Sequence, residues 1–312
     1  MPYPHPKGYV CARASEPIVI DGDLTKPVWQ AAPWSEDFLD IEGETRPAPR
    51  FRTRMKMLWD NTFFYIAAEL EEPDIWATLT EHDSVIFYDN DFEIFLDPDG
   101  DNHDYGEFEM NALNTTWDLR LPKPYRDGGP ALNEWEIEGI KTAVKVFGTL
   151  NDARDRDHGW TLELALPWSG LKTLQGGDCP EVGQQWRVNF SRVEWDIEPV
   201  DNFPYPVDNS TLPVDNSGKV PAPYQKIPST PEYNWVWSPQ WAIDMHRPEW
   251  WGYVQFEESP DVPFRPDPDW ESRCHLMELY HAEKHPEGWS ATKGNLTVTH
   301  DSRIRATNLV YS

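Results

Sequence analysis

Hydrophobic and polar residues alternate with a period of two in several short runs of this chain, and that period predicts strands. The clearest pair lies within residues 91–118. Phe92, Ile94 and Leu96 alternate with Asp91, Glu93 and Asp97. After an acidic turn, Phe108, Met110 and Ala112 alternate with Tyr105, Glu107, Glu109 and Asn111. One set belongs in a core. The other set makes a face of carboxylates, an amide and a phenol, which are groups that bind through directed oxygens. Residues 50–59 and 62–69 predict a hairpin about Asp60-Asn61. Residues 18–20, 159–167, 185–195 and 251–256 read as further strands, and 135–147 alternates with Ile137, Ile140, Ala143, Val144 and Val146 as candidate core. Pro27, placed in a first turn before Trp29, opens a short helix, and 168–171 is one helical turn.

Other segments lack a period. Residues 1–15 read as a tail or edge segment, and 71–89 as a loop. Residues 117–130 form a Pro- and Gly-rich excursion with Lys123, Tyr125 and Arg126. Residues 196–231 are a long Pro-rich loop, of the kind that is usually functional. From residue 259 the texture changes to a proline-spaced linker. Trp270, Cys274, Met277 and His281 then fall at helical spacing over 269–284, and 296–298 and 303–310 are candidate terminal strands. Eight or nine strands with few helices predict an all-β protein: an antiparallel β-sandwich of immunoglobulin or jelly-roll type over residues 1–258. Residues 259–312 are expected as a C-terminal extension with one helix packed on the sandwich.

Composition narrows the partners. A net charge of −27 argues against nucleic acid and anionic membranes, which need clustered Lys and Arg. No segment approaches the 18 or so apolar residues of a membrane-inserted helix. The 17 Trp, many beside Pro, Asp or Asn, supply aromatic platforms as well as core, and the 30 Pro point to long ordered loops. Cys11, Cys179 and Cys274 are too few and scattered for a metal site or a disulfide framework, and leave room for one disulfide plus a free thiol. No early apolar run resembles a signal peptide. The expected compartment is the cytoplasm, or an exported one if a leader has been removed. Asn114, Asn209 and Asn295 begin glycosylation-type triplets. The oligomeric state is left open.

Six stretches, in order, carry a resemblance: IDGDLTKPVW (20–29), WDNTFFYIAAEL (59–70), DNDFEIFLDPDGDNHDYGEFEMN (89–111), GWTLELALPW (159–168), WRVNFSR (186–192) and PEWWGYVQF (248–256). Together they resemble the family 9 carbohydrate-binding modules and their longer bacterial relatives. The resemblance implies a β-sandwich, often calcium-bearing, that grips a sugar between two aromatic rings with polar side chains beneath. It matches Glu93 and places Phe87 six residues before it, with Tyr88 alongside. Asn111 is kept. Glu109 stands where the family often has Arg, which reverses a charge in the pocket. For the second clamp ring, Trp235 or Trp237 is the nearest counterpart.

The expected ligand is an oligo- or polysaccharide, and the expected role lies in polysaccharide utilisation. Sugar C–H faces stack on aromatic rings while hydroxyls take directed hydrogen bonds. The expected site has Phe87, Tyr88, Trp117, Trp235 and Trp237 as walls, and Glu93, Tyr105, Glu107, Glu109 and Asn111 as the polar part. Asp97, Asp99 and Asp101 are candidate calcium ligands, since hard cations take carboxylate oxygens. The spacing is not that of an EF-hand, and Asp21, Asp23 and Asp91 are available to another cation site. The alternative reading is a glycan-cleaving enzyme using Glu93, Glu107 and Glu109, because neighbouring strands can set two carboxyls the required distance of about 5–9.5 Å apart. His82, His103, His158 and His246 lack ligand spacing.

Overall fold

The structure, a computed structural model, describes residues 4–205 and 219–284. Among the described residues the strands are, in chain order, β1 (Gly8–Arg13), β2 (Leu39–Asp40), β3 (Thr53–Trp59), β4 (Phe63–Glu71), β5 (Asp91–Asp97), β6 (Tyr105–Asn111) and β7 (Thr116–Leu121). They continue with β8 (Lys141–Phe147), β9 (Gly159–Pro167), β10 (Gln185–Glu194), β11 (Ile197–Pro199), β12 (Tyr224–Lys226), β13 (Tyr233–Val236) and β14 (Gly252–Glu257). The α-helices are α1 (Pro27–Gln30), α2 (Trp168–Leu171) and α3 (Trp270–Lys284).

The architecture is the expected β-sandwich. One curled sheet runs β7-β6-β5-β10-β14-β1-β3-β4-β9-β8, with β13 and β2 attached beside β10. Its two halves face each other over one core. Phe92, Ile94, Phe108, Met110, Val188 and Phe190 come from one half; Met55, Met57, Phe64, Ile66, Leu162 and Leu164 come from the other. These are the alternate positions of each strand, as a period of two requires when one face is buried.

Pairing is antiparallel except at β1, which is parallel to both β14 and β3. The expected tail is therefore an interior strand that joins the two halves. Its run GYVCAR carries too few alternating positions to be distinguished from a loop by periodicity. Residues 18–20 form no strand. Instead the segment from Asp21 to Trp29 docks on β9 through buried Glu163, which accepts hydrogen bonds from Gly22 N (2.7 Å), Lys26 Nζ (2.7 Å) and Trp29 Nε1 (2.6 Å). Gly22 has φ +80°, and a Cβ there would lie 2.8 Å from Lys145 N, so the turn requires glycine. The expected excursion after residue 117 begins as β7, and the long Pro-rich segment contains the β11–β12 pair.

Beyond β14, residues 259–269 lead into α3. Trp270 packs edge-on to Trp250 with ring centroids 5.3 Å apart, and Tyr253 Oη donates to Asp267 at 3.0 Å. The candidate strands at 296–298 and 303–310, and the triplets at Asn209 and Asn295, lie outside the described residues. Cys11, Cys179 and Cys274 are all free thiols, so the single disulfide allowed by composition is not formed. No helix among the described residues is long and apolar enough to cross a membrane.

Candidate functional site

The face of β5 and β6 turned away from the core is divided into three parts. At one end Phe95, Tyr105, Leu119 and Leu121 form a second apolar cluster under Trp251. At the other end a buried polar knot closes the β6–β7 turn. Asn111 Nδ2 donates to Leu79 O (2.9 Å) and Asp89 Oδ2 (3.1 Å), while its Oδ1 accepts from the backbone of Leu113 (3.0 Å) and Thr115 (3.1 Å). Between these ends the sheet opens into a cavity of about 410 Å³. Glu93, Glu107 and Glu109 form its floor. Phe87, Trp117 and Tyr125 stand around it, and Glu232, Asn234, Asp244 and His246 complete one side.

Register explains the floor. Glu93 pairs with Ser191 on β10 and with Glu109 on β6, and Glu109 pairs in turn with Trp117 on β7. These four residues therefore form one row across four strands, on the same face. Asp91 lies two residues along β5 from Glu93, so it shares that face. Phe87 is brought in by the turn before β5, where its backbone N–H donates to Glu109 Oε2 at 3.0 Å.

The electrostatics are one-sided. Glu93, Glu107 and Glu109 are 4%, 6% and 2% exposed, and no Lys or Arg lines the cavity among the described residues. Burial raises the Glu93 carboxyl to about 7, and the charge of Glu232 adds to the rise. Burial, and then Glu93, push Glu107 and Glu109 well above the carboxylate range. Burial and then Glu93 act on Asp91 in the same direction. His246 adds no cation. Burial and the nearby Arg126 lower it to about 3, its Nδ1 meets Tyr105 Oη at 3.0 Å, and Tyr125 stands edge-on at 4.5 Å between ring centroids. Arg126 itself is held by the His246 carbonyl and by Glu249, each at 2.8 Å.

Of the residues singled out from sequence, the structure brings Phe87, Glu93, Glu107, Glu109 and Trp117 together. Tyr88 is exposed and outside the lining, its ring below Lys226. Tyr105 is fully buried and reaches the cavity only by holding His246. Asn111 is spent on the turn and does not line the cavity. Trp235 and Trp237, expected as walls, are core residues instead. Both are 2% exposed; Trp235 packs against Phe51 and Trp237 against Phe190. Their strand neighbour Asn234 is the residue that lines the cavity. Alternation assigned each Trp a face but not the layer that covers it.

Among the lining residues that sequence reasoning did not place here are Tyr125, Glu232, Asp244 and His246. Tyr125 carried a signal, an aromatic in a Pro- and Gly-rich loop. The others come from irregular segments whose position depends on tertiary packing. No described residue after His246 lines the cavity, so α3 is not part of it.

Asp97, Asp99 and Asp101 lie at the far end of β5, in the turn to β6. Their oxygens can come within 4.8 Å of one another. Asp97 Oδ1 and Oδ2 accept from Gly100 N and Asn102 N, each at 3.0 Å, which holds the turn. Burial, followed by the charges of Asp99 and Asp101, raises the Asp97 carboxyl, with Arg187 opposing. This all-oxygen, charge-rich turn fits a hard cation.

A second cavity, of about 490 Å³, opens by Trp34. Its cations and acids already neutralise each other, as Arg52 and Arg54 both pair with Glu69. The unneutralised acids lie in the β5–β6 cavity.

Comparison with known proteins gives one family match: the family described as carbohydrate family 9 binding domain-like, over residues 20–192. No curated protein matches the chain. Among solved structures, a candidate carbohydrate-binding protein from Bacteroides uniformis is 16% identical, with TM-score 0.56, covering 81% of this chain and 100% of that one. A family 9 carbohydrate-binding module from Caldicellulosiruptor kristjanssonii in complex with cellotriose is 16% identical, with TM-score 0.48. The glucose complex of a family 9 module from that organism is 15% identical, with TM-score 0.49. Each of these two covers 83% of this chain and 100% of its own.

Proposed function

The chain belongs to the carbohydrate family 9 binding domain-like family, and from that premise we propose that the β5–β6 cavity is its sugar-binding site. One observation carries the reading: three aromatic rings, Phe87, Trp117 and Tyr125, stand round a floor of three buried carboxylates. Rings suit the C–H faces of a pyranose, and carboxylates accept hydrogen bonds from its hydroxyls. The volume suits one or two sugar residues, so the cavity takes a chain end or a short oligosaccharide. Uronic acids are disfavoured, because their carboxylates would meet Glu93, Glu107 and Glu109 with no lining cation to offset them. A role in polysaccharide utilisation follows from that ligand class.

Calcium at the Asp97–Asp101 turn is the second part of the proposal. It is supported by the oxygen set and by the burial of Asp97, and it would brace the β5–β6 hairpin that presents the floor.

The test is calorimetry of the full chain against neutral, amino and uronic oligosaccharides, with Trp117→Ala and Glu93→Gln alongside. Saturable heat with a neutral or amino sugar, lost in both variants, supports binding. Equal affinity in all three proteins sinks the assignment. Glycan cleavage remains the second reading because Glu93 and Glu109 are cross-strand partners, and retaining hydrolysis uses two carboxyls about 5 Å apart. Thermal power that persists after each injection, with new reducing ends, would favour it.

A further inference from the structure

The carboxylates at the foot of the cavity are arranged as ligands for something positive. Ligand oxygens of Asp91, Glu93 and Glu109 all lie within 4.8 Å of one another. The three residues are 0%, 4% and 2% exposed. Asp91 uses Oδ1 to accept from Val193 N at 3.1 Å, and Glu109 uses Oε2 to accept from Phe87 N. Asp91 Oδ2 and Glu93 Oε2 are sealed from solvent and have no hydrogen-bond partner among the described residues. Two unpartnered, buried carboxylate oxygens beside a third carboxylate are costly as anions, and either retained protons or a shared cation relieves that cost.

Among the described residues, Arg192, Lys226 and Arg126 do not do so. Arg192 is committed to Glu72 and Glu194 (2.6 and 2.8 Å). Lys226 sits over the Trp195 ring, 3.2 Å from its centroid. Arg126 pairs with Glu249.

We propose that Asp91, Glu93 and Glu109 hold a hard divalent cation at the foot of the cavity, separate from the Asp97–Asp101 turn, and that its open coordination positions face the bound sugar. Ligand number favours calcium, because three carboxylates suit its flexible all-oxygen shell whereas magnesium is usually held by one or two. Oxygens on a common ion are separated by at most twice the bond length, about 4.6–5.2 Å for calcium and about 4.2 Å for magnesium. The ligand oxygens of the three acids lie within 4.8 Å of one another, inside the calcium limit. The donors are all oxygen, as a hard cation requires, and Ser191 stands beside Glu93 in the same row to add a hydroxyl. Only the sugar-facing half of the proposal rests on the sugar-binding reading.

The experiment is calorimetry on the chelator-stripped full chain, using calcium chloride and then magnesium chloride without sugar. An Asp99→Asn/Asp101→Asn background removes the turn. The expected result is one calcium bound in that background, with affinity at least tenfold above magnesium. Adding Glu109→Gln should weaken calcium at least tenfold, and Ser191→Ala several-fold; the latter is a small change that guards against misfolding of the former. Absence of calcium heat in the background, or unchanged affinity in both added variants, overturns the site. So does glucosamine binding to a stripped chain that takes no calcium, since the charge would then be met by an amine. With calcium bound, a neutral oligosaccharide should bind at least tenfold more tightly than without it. Equal sugar affinity in both states overturns the sugar-facing half alone. Calcium binding without any sugar binding leaves the metal site standing and overturns the sugar-binding reading.

Discussion

Glu93 on β5 and Glu109 on β6 stand directly opposite each other in the register of the pair, both almost sealed from water. Like charges in that position destabilise a sheet. Glu109→Gln removes an acid whose ionisation burial and Glu93 oppose, and keeps an acceptor for Phe87 N. In chelator at pH 8 it should raise stability by about 1 kcal/mol, or Tm by roughly 2–4 °C. Thermal unfolding by circular dichroism checks this, and a lower Tm would refute it.

Trp117 and Trp235 should separate binding from stability. Trp117 flanks the cavity and is half-buried, so Trp117→Ala should weaken sugar binding about tenfold with little change in Tm. Trp235 is core, so Trp235→Ala should cost about 3–5 kcal/mol in urea denaturation. Any effect of Trp235→Ala on sugar affinity should vanish at temperatures where the variant is fully folded.

Arg192 is fully buried beneath Trp235 and neutralises two buried acids, Glu72 and Glu194, while also donating to the Glu71 carbonyl at 2.7 Å. Arg192→Leu leaves buried Glu72 without a cation and Glu194 with only Arg50, at 3.4 Å. The expected loss is about 3–5 kcal/mol, read as a lower urea midpoint. Glu72→Gln with Glu194→Gln in the same chain should recover part of it.

Asp118 predicts a pH dependence. Burial, with Glu136 and Asp83 adding to it and His82 opposing, raises its carboxyl to about 6, above the usual 3.8. Ile137 N donates to it at 2.5 Å. Between pH 4 and 6 the folded protein retains a proton that the unfolded chain releases, so stability falls as pH rises through that window. Asp118→Asn should remove roughly 1–3 kcal/mol of the decline between pH 4 and 7. Parallel declines in wild type and variant would show that Asp118 does not carry it.

Calcium at the Asp97–Asp101 turn should stabilise the fold by about 2.7 kcal/mol at 100-fold excess over Kd. In Asp99→Asn/Asp101→Asn, the rise in Tm on adding calcium should shrink by the share this turn carries. A full rise in that variant would place all bound calcium elsewhere.

The sequence by itself determined the β3–β4 and β5–β6 hairpins and the strands β9, β10 and β14, with the face of each residue in them. Alternation from Phe92 to Leu96 and from Phe108 to Met110 fixes which side is core, because a period of two leaves no other choice once one face is buried. It thereby collected Glu93, Glu107 and Glu109 on one surface. The ordered resemblance placed Phe87 beside them. What covers that surface was decided only by tertiary structure. Trp235 and Trp237 have the same local pattern whether they face a ligand or the opposite half of the sheet, and packing turned them inward. Asn111 has the same hydrogen-bonding capacity toward a sugar or a turn, and Leu79 and Asp89 occupied it. Tyr125, Glu232 and His246 reach the cavity from irregular segments that carry no period. Even β1 gained its central place only through parallel partners distant in sequence, Tyr253 and Leu58 among their residues. Local pattern encodes the face of a residue, whereas contact between distant segments encodes its neighbour, and a binding site is made of neighbours.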